Sequence, residues 1–190
     1  MYKLCKTEQS AARQRKLEQG LLQAMQTQQY EDISISDLCD QMGVPRKSFY
    51  RYFSSKDGAL AALLDHVLMK FEISVPVKGK KAAGSAIGDL ERYFEFWYAQ
   101  KDLLNALQRS RLSGMLVERS TSYALREYMM PRYLRDKSVQ FQSHALTFAV
   151  CGMFSMVVQW HHGGYQESPA EMARIASAML TQPLISADME

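Results

Sequence analysis

The sequence predicts an all-α protein, a three-helix head at the N-terminus followed by a larger helical body, about nine helices in total. Three observations carry this expectation. Apolar residues recur three and four positions apart in one stretch after another, the spacing that lays a stripe along an α-helix. Ser, Pro and Gly stand at the ends of those stretches, where caps and breakers belong. The composition is that of a packed globular chain, 190 residues with 47% hydrophobic, 23% charged, five Pro and ten Gly, long enough to bury a substantial core as one or two domains.

Taken in order, residues 10–27 read as the first helix, with Leu17, Leu21, Ala24 and Met25 inward. Arg13, Arg15 and Lys16 near its start can reach a phosphate backbone or can be plain solvated charge. Residues 33–56, ISISDLCDQMGVPRKSFYRYFSSK, divide into two short helices around a tight turn. Ser34 followed by Asp37 is a capping-box type start, and Ile35, Leu38, Cys39 and Met42 form one stripe. Gly43 ends that helix because it enters a left-handed conformation without a Cβ clash, and Pro45 opens the next. In the second helix Phe49, Tyr52 and Phe53 share the packing face, while Arg46, Lys47, Tyr50 and Arg51 share the opposite one. With the first helix as a third wall, Ile35, Leu38, Phe49 and Phe53 would make a small core.

Helix, Gly-containing turn, helix is the helix-turn-helix signature, whose second helix enters the major groove. From Val44 to Lys56 there are four basic residues and no acid, as a surface facing phosphates and base edges requires. The basic character is local. The whole chain carries a net charge of +3, and residues 1–57 hold nine Lys/Arg against seven Asp/Glu.

Over some thirty residues, YEDISISDLCDQMGVPRKSFYRYFSSKDGAL resembles the DNA-binding segment of the TetR family of bacterial transcriptional regulators. Tyr30, Ile35, Asp37, Leu38, Gly43, Val44, Ser48, Phe49, Tyr50, Tyr52, Phe53, Ser55 and Lys56 carry the match. Gln29 replaces the usual Gly, Pro45 the usual Ser cap, and Lys47 stands where many members have Gly, so the operator sequence does not transfer. The helical faces and the resemblance together make Ser36, Arg46, Lys47, Ser48, Tyr50, Arg51, Tyr52 and Lys56 the expected DNA contacts. The domains expected are residues 1–56 for DNA and residues 57–190 for effector binding and dimerisation.

In the body, Asp57 opens a long helix with Leu60, Leu63, Leu64, Val67, Leu68 and Phe71 at helical spacing, a rigid connector from head to body. Residues 75–84, with Pro76, two Gly and three Lys, break the pattern as a surface loop. Helices follow over residues 86–100, with Ile87, Leu90, Phe94, Trp97 and Tyr98 inward, then over residues 102–111, and over residues 112–130 ending at Pro131. Met115, Tyr123, Tyr128, Met129 and Met130 make this region soft and aromatic, either simple core or the lining of an organic-ligand cavity. Residues 140–160 are the most apolar helix, with Ala145, Ala149 and Gly152 permitting close approach, and read as buried. The uninterrupted part, residues 145–158, is shorter than the ~20 residues that cross a bilayer. Ser168, Pro169 and Glu171 start the last helix, whose stripe is Met172, Ile175, Ala176, Met179 and Leu180.

No catalytic constellation is present: there is no GxSxG, Walker loop or HExxH. The adjacent His161 and His162 point about 100° apart on a helix, so they share no metal face, and a helix C-terminus accounts for them through its dipole. Cys5, Cys39 and Cys151 are odd in number and widely spaced, which suits free thiols in a reducing cytoplasm. The N-terminal segment has no apolar run fit for a signal peptide.

The expectation is therefore a cytoplasmic homodimeric regulator, most simply a repressor, that binds a double-stranded DNA operator and is controlled by a small-molecule effector. No cofactor, metal or membrane is implied. As in the family it resembles, the last two helices would form the dimer. The effector-lining candidates are Phe94, Trp97, Leu107, Arg111, Tyr123 and Phe148, with Arg111 and Tyr123 as polar anchors. Two competitors are a DNA-binding co-activator that answers to a protein partner and an enzyme on a helical scaffold. The first would show a filled core where the regulator has a cavity, and the second has no paired acid, base or nucleophile to rest on.

Overall fold

A computed structural model describes Tyr2, Lys3, Cys5 and residues 7–74, 86–127 and 135–181. The loop expected over residues 75–84, and Tyr128, Met129, Met130 and Pro131, lie outside the described residues. Among the described residues there are nine helices: α1 Glu8–Thr27, α2 Ile35–Gln41, α3 Arg46–Tyr50, α4 Lys56–Ser74, α5 Ala86–Ala99, α6 Lys101–Arg109, α7 Ser113–Glu127, α8 Val139–His162 and α9 Pro169–Thr181. The all-α expectation is met.

The chain forms two compact units, one taking its residues from Met1–Lys70 and Asp102–Arg119, the other from Phe71–Lys101 and Ser120–Glu190. In the first, Leu17, Leu21, Ala24 and Met25 of α1 are buried as their spacing predicts, with Leu38, Phe49 and Phe53. Gly20 lets α1 approach closely, because a Cβ there would lie 2.2 Å from Met42 Sδ. α4 buries Leu60, Leu63, Leu64, Val67 and Leu68, and α6 buries Leu103, Leu104, Ala106 and Leu107. Polar bonds tie α6 to the end of α1: Gln26 Nε2 donates to Asp102 O at 2.8 Å, and Tyr30 N to Ser110 Oγ at 3.0 Å. Arg119 Nε on α7 donates to Asp65 Oδ1 at 2.8 Å, and the Tyr2 hydroxyl donates to Asp65 Oδ2 at 2.7 Å. His66 Nδ1 lies 2.8 Å from Glu18 Oε2, which gives a carboxylate with 2% side-chain exposure its partner.

In the second unit α5 lies along α9. Its core is aromatic. Trp97 meets Phe154 edge-on at 5.0 Å between ring centroids, Phe94 meets Trp160 at 5.7 Å, and Phe71 stacks on Trp97 at 6.4 Å. Burial pushes the phenol of the neighbouring Tyr93 well above its ordinary value. Ser168 and Glu171 complete the expected capping box, Glu171 N to Ser168 Oγ at 3.3 Å and Ser168 N to Glu171 Oε2 at 2.8 Å, with Pro169 in the first helical position.

Two expectations for this unit are corrected. α8 is not a buried helix: it buries Leu146, Phe154, Val157 and Trp160, while Val139, Phe141 and Phe148 stand exposed. It is 24 residues long, and its most apolar 18-residue window has a mean hydropathy of 1.4 with only 17% of that window buried, so it meets the length and composition of a bilayer span. A helix apolar on every side needs cover on every side, and one chain covers part of it. On α5, Ile87 and Tyr98, both expected inward, are 45% and 44% exposed.

Candidate nucleic-acid interface

The geometry of the head starts with two caps. At the start of α2 the Ser34 hydroxyl accepts from Asp37 N at 3.0 Å and donates to Asp37 Oδ2 at 2.7 Å. At its end Gly43 takes φ +62, with Gly43 N to Asp40 O at 3.1 Å and Val44 N to Cys39 O at 2.9 Å. That pair of bonds is a Schellman termination, which reverses the chain within two residues and fixes where α3 begins. Pro45 stands one position earlier than expected: it is the N-cap of α3 and has no side-chain bond to offer, and the helix opens at Arg46. Ser48 N reaches Pro45 O at 2.7 Å instead.

α3 is held from one side only. Phe49 is fully buried and packs on Phe53 at 5.1 Å between ring centroids, while Arg46, Lys47, Tyr50 and Arg51 are exposed. A shallow groove of about 440 Å3 runs along that face, lined by Pro45, Lys47, Ser48, Tyr50 and Arg51. Among the described residues, no carboxylate pairs with these cations. Ser36 of α2 is half-buried.

The other two expected contacts are placed differently. Tyr52 is 4% exposed, packs on Phe53 at 6.2 Å and lies under the Arg51 guanidinium, 5.0 Å from its ring centroid. Lys56 turns inward: its Nζ donates to Tyr30 O, to Glu31 O at 3.1 Å and to Ile33 O at 2.7 Å, and sits 4.4 Å from the centre of the Tyr30 ring. The Tyr30 hydroxyl donates in turn to Asp57 Oδ1 at 2.6 Å, and burial pushes that phenol well above its usual value. Lys56 thus ties the turn before α2 to the start of α4. Sequence reading missed this, because three carbonyls more than twenty positions upstream leave no trace near a lysine in the chain.

Of the effector candidates, Phe94 and Trp97 come together in the aromatic cluster, and the Tyr123 hydroxyl donates to Glu72 Oε2. Phe148 is 73% exposed on α8, six residues and roughly 120° around the helix from Phe154. Leu107 and Arg111 belong to the first unit. Leu107 is buried there. Arg111 is exposed with φ 55, and Leu112 N bonds to Leu107 O at 2.7 Å. Arg111 therefore serves α6 through its backbone, in the left-handed position that glycine usually fills.

Fold and site define a helix-turn-helix head with an exposed basic face on its second helix. Residues 21–63 match the sequence profile of the bacterial regulatory proteins of the tetR family. The "HTH-type transcriptional regulator EthR" of Mycobacterium tuberculosis and that of Mycobacterium bovis are 30% identical to it over 91 residues, which is 45% of this chain. The chain spans 42% of the length of these curated relatives. Three solved structures share the fold: the "Dihydroxyacetone kinase operon activator DhaS" (TM-score 0.57, 13% identity, 90% of this chain and 94% of that one), a TetR-like transcriptional regulator from Rhodococcus sp. RHA1 (0.54, 15%, 94% and 98%), and the fatty acid degradation regulator FadR from Bacillus halodurans (0.59, 11%, 95% and 98%). Residues 21–63 thus carry a tetR-type helix-turn-helix segment, and the chain shares its all-α fold with these solved structures.

Proposed function

We propose that the chain is a homodimeric, sequence-specific DNA-binding transcriptional regulator, most simply a repressor, released from its operator by an organic effector in the second unit. The observation that carries the DNA reading is the face of α3, where Arg46, Lys47, Tyr50 and Arg51 are exposed together behind a rigid Schellman turn. Arg grips guanine through two hydrogen bonds, and Lys and hydroxyl groups suit phosphate oxygens. A head this small covers one half-site. A dimer would set two α3 helices in successive major grooves, about 34 Å apart.

The uncovered apolar residues of the last two helices support the dimer. Phe141 and Phe148 on α8, and Ile175, Met179 and Leu180 on α9, are between 38% and 73% exposed, and Gly152, between the two Phe and the helix end, faces open space. A second copy would cover them. The aromatic cluster around Trp97 suits an apolar organic effector, and His161 and Tyr165 offer buried ring nitrogens and a hydroxyl without hydrogen-bond partners. Release by such an effector requires different affinities for the DNA-bound and free geometries.

The test is selection from a pool of random duplexes. The protein should enrich a sequence with two related half-sites. Replacing Arg46→Ala and Lys47→Ala should weaken binding to the selected duplex by about 1–3 kcal/mol per specific contact at low salt while leaving the dimer intact. Undiminished discrimination in that double variant would sink the assignment of α3. The co-activator reading keeps two supports: a neighbour in fold is titled an operon activator, and Phe94 and Trp97 are packed at 0% and 2% exposure. The chain's two Trp, Trp97 and Trp160, both lie in that cluster, so quenching by an organic ligand favours the effector reading.

A further inference from the structure

A second groove, of about 270 Å3, opens on the first unit between α1 and α3. Its floor is apolar, with Leu17 and Met42, and its rim carries Arg13, Lys16, Arg51 and the hydroxyl-bearing Ser48. The three cations are exposed, and among the described residues none is paired with a carboxylate. Three like charges around one concave surface repel each other, and a low-dielectric floor concentrates their field outward. The result is an electropositive groove, open to solvent, that an extended anion can lie across. Ser48 and Arg51 also line the groove along the outer face of α3, so the two grooves are continuous.

We infer that this groove is a second track for the DNA backbone, in which α1 holds phosphates flanking the bases that α3 reads. It rests on the proposed DNA-binding function and deepens it. Arg13 and Lys16, three residues apart, stand on neighbouring turns of one helix face, and Arg51 faces them from the end of α3. A guanidinium donates from its fork to two phosphate oxygens, and an ammonium supplies a point charge beside them. Contacts of this kind position the protein and carry no sequence information. They add affinity for any duplex alike and steepen its dependence on salt.

The experiment measures Kd against salt concentration for the wild type, for R13A/K16A and for R13K/K16R, on the duplex selected from the random pool and on a scrambled duplex of equal length. Removing one phosphate contact should flatten the slope of log K against log salt by about 0.9, so the slope for R13A/K16A should be shallower by about 1.8 per bound head, or about 3.6 for a dimer with both heads on the duplex, on both duplexes. The charge-conserving variant should keep the wild-type slope, and circular dichroism of both variants should match the wild type. An unchanged slope in R13A/K16A, or a flattening confined to the selected duplex, overturns the track while leaving the α3 reading in place. Failure of the wild type to bind either duplex overturns both.

Discussion

At the scale of the residue, the basic stretch from Arg46 to Lys56 separates into two kinds of cation. Arg46, Lys47 and Arg51 are exposed beside apolar anchors, so their charge is available to a partner. Lys56 spends its three donors on carbonyls at the turn before α2. Its replacement therefore acts on folding first. Lys56→Met should lower the unfolding free energy by about 2 kcal/mol, because the part-buried carbonyls of Tyr30 and Ile33 lose charge-assisted hydrogen bonds. Urea denaturation measures this, and an unchanged midpoint would mean that the lysine is free for phosphate. Arg111 is a comparable case, valued in the structure for a left-handed backbone that closes α6.

At the scale of the element, local rules were followed closely. Ser34 and Ser168 cap as their spacing predicts, and Gly43 takes the left-handed conformation that ends α2. Pro45 shifted by one position, from first helical residue to N-cap, since a helix boundary depends on the turn that leads into it. The end of α8 departs more. A histidine at a helix C-terminus is favoured as a cation by the dipole. At His161 burial, and then the neighbouring His162, push the imidazole below its ordinary value, and neither ring nitrogen has a hydrogen-bond partner. A depressed histidine keeps its full contribution to stability above the unfolded value near 6.5, and loses it as pH falls through the lower folded value. Thermal stability should thus decline below about pH 6.5, and His161→Gln should flatten that decline. An identical pH profile in the variant would show that the imidazole does not govern it.

At the scale of the whole molecule, the proposed dimer rests on α8. An exposed Phe148 between exposed Phe141 and the aromatic end of the helix is costly in water and natural against a second copy. Phe148→Glu should weaken the dimer by on the order of 100-fold, ~2.7 kcal/mol, as a carboxylate enters a closing apolar face. Light scattering at micromolar concentration should then report a monomer. A variant that remains dimeric would move the interface elsewhere.

The sequence by itself determined what lies within a few turns of chain: the all-α class, the stripes of α1 and α4, the caps of α2 and α9, and the opposed packing and basic faces of α3. These follow from periodicity and from bonds between residues three or four apart, which any stretch carries with it. Only the tertiary structure decided which cations are free, because Lys56 is claimed by carbonyls of Tyr30, Glu31 and Ile33, and Arg119 by the Asp65 carboxylate. It also decided that Phe148 faces out while Phe94 and Trp97 face in. All three are large apolar residues on apolar helices. Which of them meets water depends on how many neighbouring helices one chain can supply, and periodicity does not encode that number.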